Sequence, residues 1–224
     1  MPPPRLAIFD VNETLSDMRP LAARFAAVGA PEHLLSTWFA ATLRDGMALA
    51  SAGAFAQFRD IGRAVLLQLL PESPDLRLPP AEAAEHILDG IGALPLHPDV
   101  APGMRRLREA GVRLATLTNG GPATAADLLR GGGIEDLVER NLSVGEVGRW
   151  KPAPEPYRFA CAELGVAADE AVMIAAHPWD VDGAMRAGLR GGWLDRDGRP
   201  YPAVFRAPDA LGHDLTALAE AIGA

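Results

Sequence analysis

Three short apolar runs limit what this chain can fold into: Leu6–Phe9, residues 112–117 and Ala171–Ala175. Each stops abruptly against polar or Gly/Pro-bearing sequence, and amphipathic segments separate the last two. Runs this short suit strands covered on both faces, and the alternation with amphipathic segments predicts a parallel sheet with crossover helices. The fold expected is α/β: a Rossmann-like parallel sheet with helices on both faces.

Residues 16–94 break that alternation, showing helical periodicity and no strand. Leu34, Leu35, Trp38, Phe39, Thr42 and Leu43 form one helical stripe; Phe55, Phe58, Ile61, Val65, Leu66 and Leu69 form another. The proline-rich stretch 71–80 cannot continue a helix, because proline lacks the amide donor and restricts the residue before it. The organisation expected is a core domain of residues 1–15 and 95–224, with residues 16–94 inserted after the first strand as a helical cap domain.

The first run ends on Asp10, in the stretch Ala7-Ile8-Phe9-Asp10-Val11-Asn12-Glu13-Thr14. A sheet buried on both faces can present a reactive side chain only where its strands stop, so an acid at that edge is aimed into a crevice. Three later stretches belong to the same edge: Leu117-Thr118-Asn119-Gly120, Trp150-Lys151-Pro152, and Ala175-Ala176-His177-Pro178-Trp179-Asp180. Taken singly, each is equally ordinary turn chemistry.

Composition removes several function classes. A formal net charge of −8 argues against a nucleic-acid binder, which needs a basic face. The single cysteine, Cys161, excludes an intramolecular disulfide and a multi-cysteine zinc site. His33, His86, His97 and His213 lack ligand spacing, so no metal site is assigned. No apolar run approaches the roughly 20 residues that cross a bilayer, and the N-terminus lacks a signal pattern, so a cytoplasmic protein without a membrane partner is expected.

As an ordered set, Asp10 with Thr14, then Thr118, Lys151 and Asp180, the chain resembles the haloacid dehalogenase superfamily along essentially its whole length. Asn119-Gly120, Lys151-Pro152, Tyr157, Trp179-Asp180 and Gly183-Ala184 are similar to its 2-haloacid dehalogenase branch, whose cap follows the first motif. The resemblance implies Asp10 as nucleophile, Lys151 as the cation that keeps it ionised, and Thr14 and Thr118 as supporting hydroxyls.

Departures from the phosphatases of that superfamily favour carbon–halogen chemistry. Their second acid, two residues after the nucleophile, is here Asn12, and an amide cannot donate and recover a proton. Their additional magnesium-holding acid, four residues before Asp180, is here Ala176. Halide leaves without protonation, so neither group is needed for Asp10 to attack carbon and form an aspartyl ester that water then hydrolyses. The expected activity is dehalogenation of short 2-haloalkanoic acids to 2-hydroxy acids with inversion, using no cofactor. Two alternatives stay open: a phosphatase of the same fold, under which magnesium would enter, and a catalytically silent binder of small carboxylates.

His177 and Asp180 are expected to pair, Asp180 orienting an imidazole that activates the hydrolytic water; a structural histidine is the alternative. Asn12, Thr118, Asn119, Tyr157 and Trp179 are the candidate substrate contacts, Asn119 and Trp179 as the halide cradle the resemblance implies. The family's cap arginine stands where this chain has Ala40, and Arg44, one turn on, is the candidate substitute, with a solvated helix arginine as its alternative. Tyr157 serves equally as packing or as support for Lys151. The apolar stripes of the cap serve a core or a homodimer.

Overall fold

The computed structural model describes residues 3–224; Met1 and Pro2, where the N-terminal reading begins, lie outside it. β1 (Leu6–Phe9) is buried at every position. Before the sheet resumes come α1 (Ala22–Ala27), α2 (Leu34–Ser51), α3 (Phe58–Leu69) and α4 (Pro80–Asp89). Then follow α5 (Val100–Glu109), β2 (Arg113–Thr118), α6 (Pro122–Gly131), β3 (Arg140–Ser143), α7 (Pro154–Glu163), β4 (Ala171–Ala175), α8 (Pro178–Arg186), β5 (Arg190–Leu194), β6 (Ala210–Gly212) and α9 (Leu215–Ala221). Proline stands in the first turn of α4, α6, α7 and α8, where its missing amide costs nothing. Pro80, the end of the stretch read as a loop, therefore starts α4.

The six strands are all parallel, in the order β3-β2-β1-β4-β5-β6. β1 lies between β2 and β4, and the winding direction reverses there. In an open α/β sheet that reversal opens a crevice at the carboxyl ends of the strands. Alternate residues of β1 serve opposite faces: Ala7 and Phe9 join α5, α6 and α9 in one core, whereas Leu6 and Ile8 join α7 and α8 in another.

The helices between β1 and β2 have a hydrophobic cluster of their own, built on Trp38, Phe39, Phe58, Ile61, Val65 and Leu66. Burying one such aromatic contributes about 1.5–3 kcal/mol. The two stripes read from the sequence line this cluster, although Leu34, Leu35 and Leu43 are only half-buried. Trp150 from the sheet side belongs to the same cluster. Its ring stacks on Phe58 with centroids 6.0 Å apart, and its indole N–H donates to the Ala56 carbonyl at 2.9 Å. Gly46 allows this approach, because a Cβ there would stand 2.4 Å from the Trp150 ring.

Candidate active site

Asp10 directly follows β1, and its amide still donates to the Ile174 carbonyl at 3.0 Å, so the last rung of the sheet fixes its backbone. The chain then turns tightly, the Leu15 and Ser16 amides both donating to the Val11 carbonyl. Glu13 sits in that turn with φ +61°, a left-handed conformation that non-glycine residues rarely adopt. The turn returns Thr14 to the nucleophile: its Oγ1 donates to Asp10 Oδ2 at 2.7 Å and accepts from the Ala176 amide at 3.0 Å. One hydroxyl thus ties the turn after β1 to the end of β4.

Lys151 is fully buried although it lies in a loop. Its Nζ donates to Asp10 Oδ1 at 2.9 Å, Asp180 Oδ2 at 2.6 Å and the Leu117 carbonyl at 2.8 Å, using all three of its protons. The Lys151 amide in turn donates to Asn119 Oδ1 at 3.0 Å. Burial alone would raise the Asp10 carboxyl, but the Lys151 ammonium and His177 outweigh it and hold Asp10 well below the usual carboxylate range. Burial likewise works against the Lys151 charge, and Asp10 and Asp180 more than compensate. Asp180 is raised by its burial, with Lys151 opposing. Of the two acids Asp10 is therefore the more firmly ionised.

His177 departs from expectation. It does not pair with Asp180, whose two oxygens are occupied by Lys151 and by the Tyr157 hydroxyl at 2.6 Å. His177 is the residue immediately before α8, and its ring turns the other way. Nε2 lies 2.9 Å from Glu13 Oε2, and Nδ1 faces Asp10 Oδ2 at 3.4 Å. The ring also packs against Trp179 and Phe39, with centroids 5.2 and 6.1 Å away. Burial opposes its charge, yet contacts with Asp10 and Glu13 push the imidazole up to about 9.

Two further expectations are corrected. Arg44 is solvent-exposed and paired with its neighbour Asp45 at 2.7 Å, because α2 buries Trp38, Phe39, Thr42 and Gly46 while Ala40 and Arg44 share the outer face. Tyr157 lies beneath the site as a donor to Asp180, fully buried, so it supports the partner of Lys151 rather than touching a substrate. Burial and the adjacent Asp180 charge raise its hydroxyl well above the ordinary range, which keeps it a donor.

The remaining candidates do gather at the crevice. Thr118 Oγ1 accepts from the Gly120 amide at 2.9 Å, and Ser143 Oγ donates to the Gly120 carbonyl at 2.7 Å, which fixes the loop after β2 to the end of β3. Asn12 is half-buried, its side-chain amide close to Gly120. Trp179 is half-buried against His177. A cavity of about 900 Å³ opens on the His177 side, lined by Glu13, Phe39, Ala176, His177 and Arg196 among others, whereas Asp10, Asn12, Thr118, Asn119 and Trp179 do not line it.

A divalent cation does not fit this donor set. Asp10 and Asp180 both hold the Lys151 ammonium, Asp180 also holds Tyr157, and Ala176 supplies no side-chain oxygen. Among the described residues no three His, Cys, Asp or Glu side chains converge as a metal site. No helix among them is long and apolar enough to cross a membrane. The sequence reading missed Glu13 and Phe39 as neighbours of His177. An acid in a turn carries no sign of a partner so far along the chain, whereas Phe39 was visible only as a core residue.

The sequence profile of haloacid dehalogenase-like hydrolases matches residues 4–188. The (S)-2-haloacid dehalogenase 1 of Pseudomonas sp. (strain CBS-3) is 30% identical over 228 residues, covering 98% of this chain and 96% of that protein. A solved L-2-haloacid dehalogenase superposes with a TM-score of 0.90 at 28% identity, covering 99% of this chain and 100% of that one. The phosphoserine phosphatase of Thermus thermophilus is 40% identical over a shorter stretch of 144 residues, 63% of this chain and 57% of that protein.

Proposed function

Because this chain belongs to the haloacid dehalogenase-like hydrolase family, we propose that it hydrolyses the carbon–halogen bond of short 2-haloalkanoic acids to give 2-hydroxy acids. The observation that carries this reading is the state of Asp10: a carboxylate kept ionised by Lys151 at 2.9 Å, with an amide at Asn12 where a phosphatase needs a second acid. An ionised carboxylate followed two residues on by an amide instead of a second acid suits a leaving group that departs as an anion.

Asp10 attacks the carbon bearing the halogen from the side opposite the halide, which inverts that centre. Thr14 and Lys151 hold the carboxylate while it reacts. The product of this step is an ester of Asp10, and water then adds to the Asp10 carboxyl carbon. His177 serves that second step, a role supported by its Nδ1 facing Asp10 at 3.4 Å. Asn119 and Trp179 serve the halide, and Asn12 and Thr118 line the substrate side of the crevice. The helices of residues 16–94 act as the cap, with Phe39 bringing an apolar wall to His177.

The phosphatase reading has one observation in its favour, the likeness to the Thermus thermophilus phosphatase. The donor chemistry around Asp10 and Asp180 weighs against it. The test is halide release from racemic 2-chloropropionate in excess EDTA, comparing the native protein with Asp10→Asn. Release by the native protein alone supports the proposal. Silence from both, together with magnesium-dependent hydrolysis of phosphate esters, refutes it in favour of the phosphatase. Retention of configuration in the product refutes the single displacement by Asp10.

A further inference from the structure

We propose that Glu13, His177 and Asp10 form a relay in which Glu13 positions His177 for the water step and the Asp10 carboxylate itself blocks that step until the ester has formed. The inference rests on the dehalogenase reading above and adds to it a positioning residue and an order of events.

Geometry carries the first half. His177 Nε2 is fixed by Glu13 Oε2 at 2.9 Å, which turns Nδ1 toward Asp10 Oδ2 at 3.4 Å. Nδ1 is buried and has no hydrogen-bond partner, an unusual state for a ring nitrogen with a carboxylate so near. Glu13 meets the ring from a left-handed backbone conformation, φ +61°, and strain of this kind in a non-glycine residue gathers at functional sites. Glu13 also lines the cavity, with its side chain half-exposed, and its hold on Nε2 selects the tautomer whose free lone pair is on Nδ1.

Charge carries the second half. In the free protein two carboxylates face the imidazole, and together they overcome its burial and keep it protonated at neutral pH. A protonated imidazole cannot accept a proton from water. The other groups nearby do not alter this balance. Lys151 is committed to Asp10, Asp180 and Leu117, and α2 presents Phe39. Across the cavity Arg196 is held by Asp99, and Asp17 by Arg19, while Glu32 lines it farther along α2's approach.

Displacement removes one of those two charges. The Asp10 oxygen bonds to the substrate carbon, the carbon–halogen bond breaks, and halide leaves with the bonding pair. Asp10 is then a neutral ester, so burial opposes the His177 charge with Glu13 alone against it. His177 gives up its Nδ1 proton to the cavity while Nε2–H stays donated to Glu13, which leaves the lone pair on the nitrogen that faces Asp10. The neutral ring takes a proton from water as hydroxide adds to the Asp10 carboxyl carbon. It returns that proton to the departing 2-hydroxy acid oxygen, and finally takes the proton left on Asp10. Over the cycle one water is consumed, and one halide and one proton are released.

The test has two arms. In the first, the imidazole of His177 is titrated by NMR in the native protein and in Asp10→Asn, whose neutral amide stands in for the neutral ester. The relay requires the midpoint to fall by about one pH unit or more in Asp10→Asn; an unchanged midpoint overturns the blocking role. In the second, native protein, Glu13→Gln and Glu13→Gly turn over 2-chloropropionate and are quenched for mass measurement of the Asp10 adduct. Both variants are expected to turn over about tenfold more slowly or worse while the adduct accumulates. Glu13→Gly removes the backbone strain as well, so a shared defect assigns the loss to the carboxylate. Native rates in both variants, or slow turnover without added adduct, overturn the positioning role. Absence of both halide and adduct in the native protein refutes the dehalogenase reading, and the relay with it.

Discussion

Replacing Lys151 by methionine keeps most of its apolar stem and removes the ammonium that two buried carboxylates share. With an effective dielectric constant of about 20, each contact, at 2.9 Å to Asp10 and 2.6 Å to Asp180, is a Coulomb attraction of about 6 kcal/mol. Much of that sum offsets the cost of burying the ammonium, and breaking a buried pair at one partner destabilises by about 3–5 kcal/mol. For a chain of this length the melting temperature should fall by about 6–20 °C. The pH dependence is the sharper test. Native Asp10 is held below its ordinary value, so the stability it contributes is present above about 3.8 and is lost as pH falls through its folded value. Without Lys151 the burial of Asp10 is opposed chiefly by His177 and that of Asp180 by Tyr157, so both carboxyls rise and the variant loses stability as pH rises. The gap between the two proteins should therefore widen from pH 4 to pH 8. Urea denaturation at both pH values measures it. A gap of about 1 kcal/mol or less at pH 8, or one that narrows from pH 4, would refute the charge balance assigned to the site.

Three other expectations follow from the same geometry. His177, raised from 6.5 to about 9, contributes stability that is fully present below about 6.5 and lost as pH rises through about 9. Native melting temperature should thus decline across that window, by about 3 kcal/mol of stability in all, and His177→Asn should flatten the decline. Thr14→Val preserves shape but leaves the Ala176 amide unpaired and strips a donor from Asp10, so it should cost about 2–3 kcal/mol in denaturation. Dehalogenation by Thr14→Val should slow about tenfold or more, whereas Thr14→Ser stays near native. Arg44→Ala should leave both the melting temperature and kcat/KM unchanged; a large rise in KM would restore Arg44 to the substrate.

The strands legible in the sequence were those whose burial left continuous apolar runs, β1, β2 and β4. β3 was hidden because Arg140 and Asn141 are polar, Asn141 Oδ1 accepting from the Thr116 hydroxyl at 2.8 Å. β5 was hidden by its two glycines. α8 packs so closely there that a Cβ on Gly191 would stand 2.6 Å from Met185, which suppresses the side chains that mark a strand. At the site, the structure brings Asp10, Thr14, Lys151 and Asp180 together as one hydrogen-bonded group, because short connections at the sheet edge leave them little freedom. The partners of His177 were not legible. Spacing of three within a first helical turn suggested Asp180, but contacts of both Asp180 oxygens beneath the sheet edge decided otherwise. Arg44 failed for the opposite reason: one helical turn from Ala40 does keep the same face, and that face is solvent.

Trp150 and Lys151 are consecutive residues that belong to different neighbourhoods. The indole is clamped among the helices by Phe58, Gly46 and the Ala56 carbonyl, while the ammonium is clamped among the acids. A single peptide unit is too stiff to absorb much relative displacement between them. A displacement of the helices that carries the indole with it therefore also acts on the backbone of Lys151. Any movement of the helices must either unseat the indole or drag the ammonium, so opening and the charge state of Asp10 are mechanically geared. Crowding α2 against the indole, as Gly46→Ala would, thus reaches Asp10 through the backbone of residues 150 and 151 without touching an ionisable group.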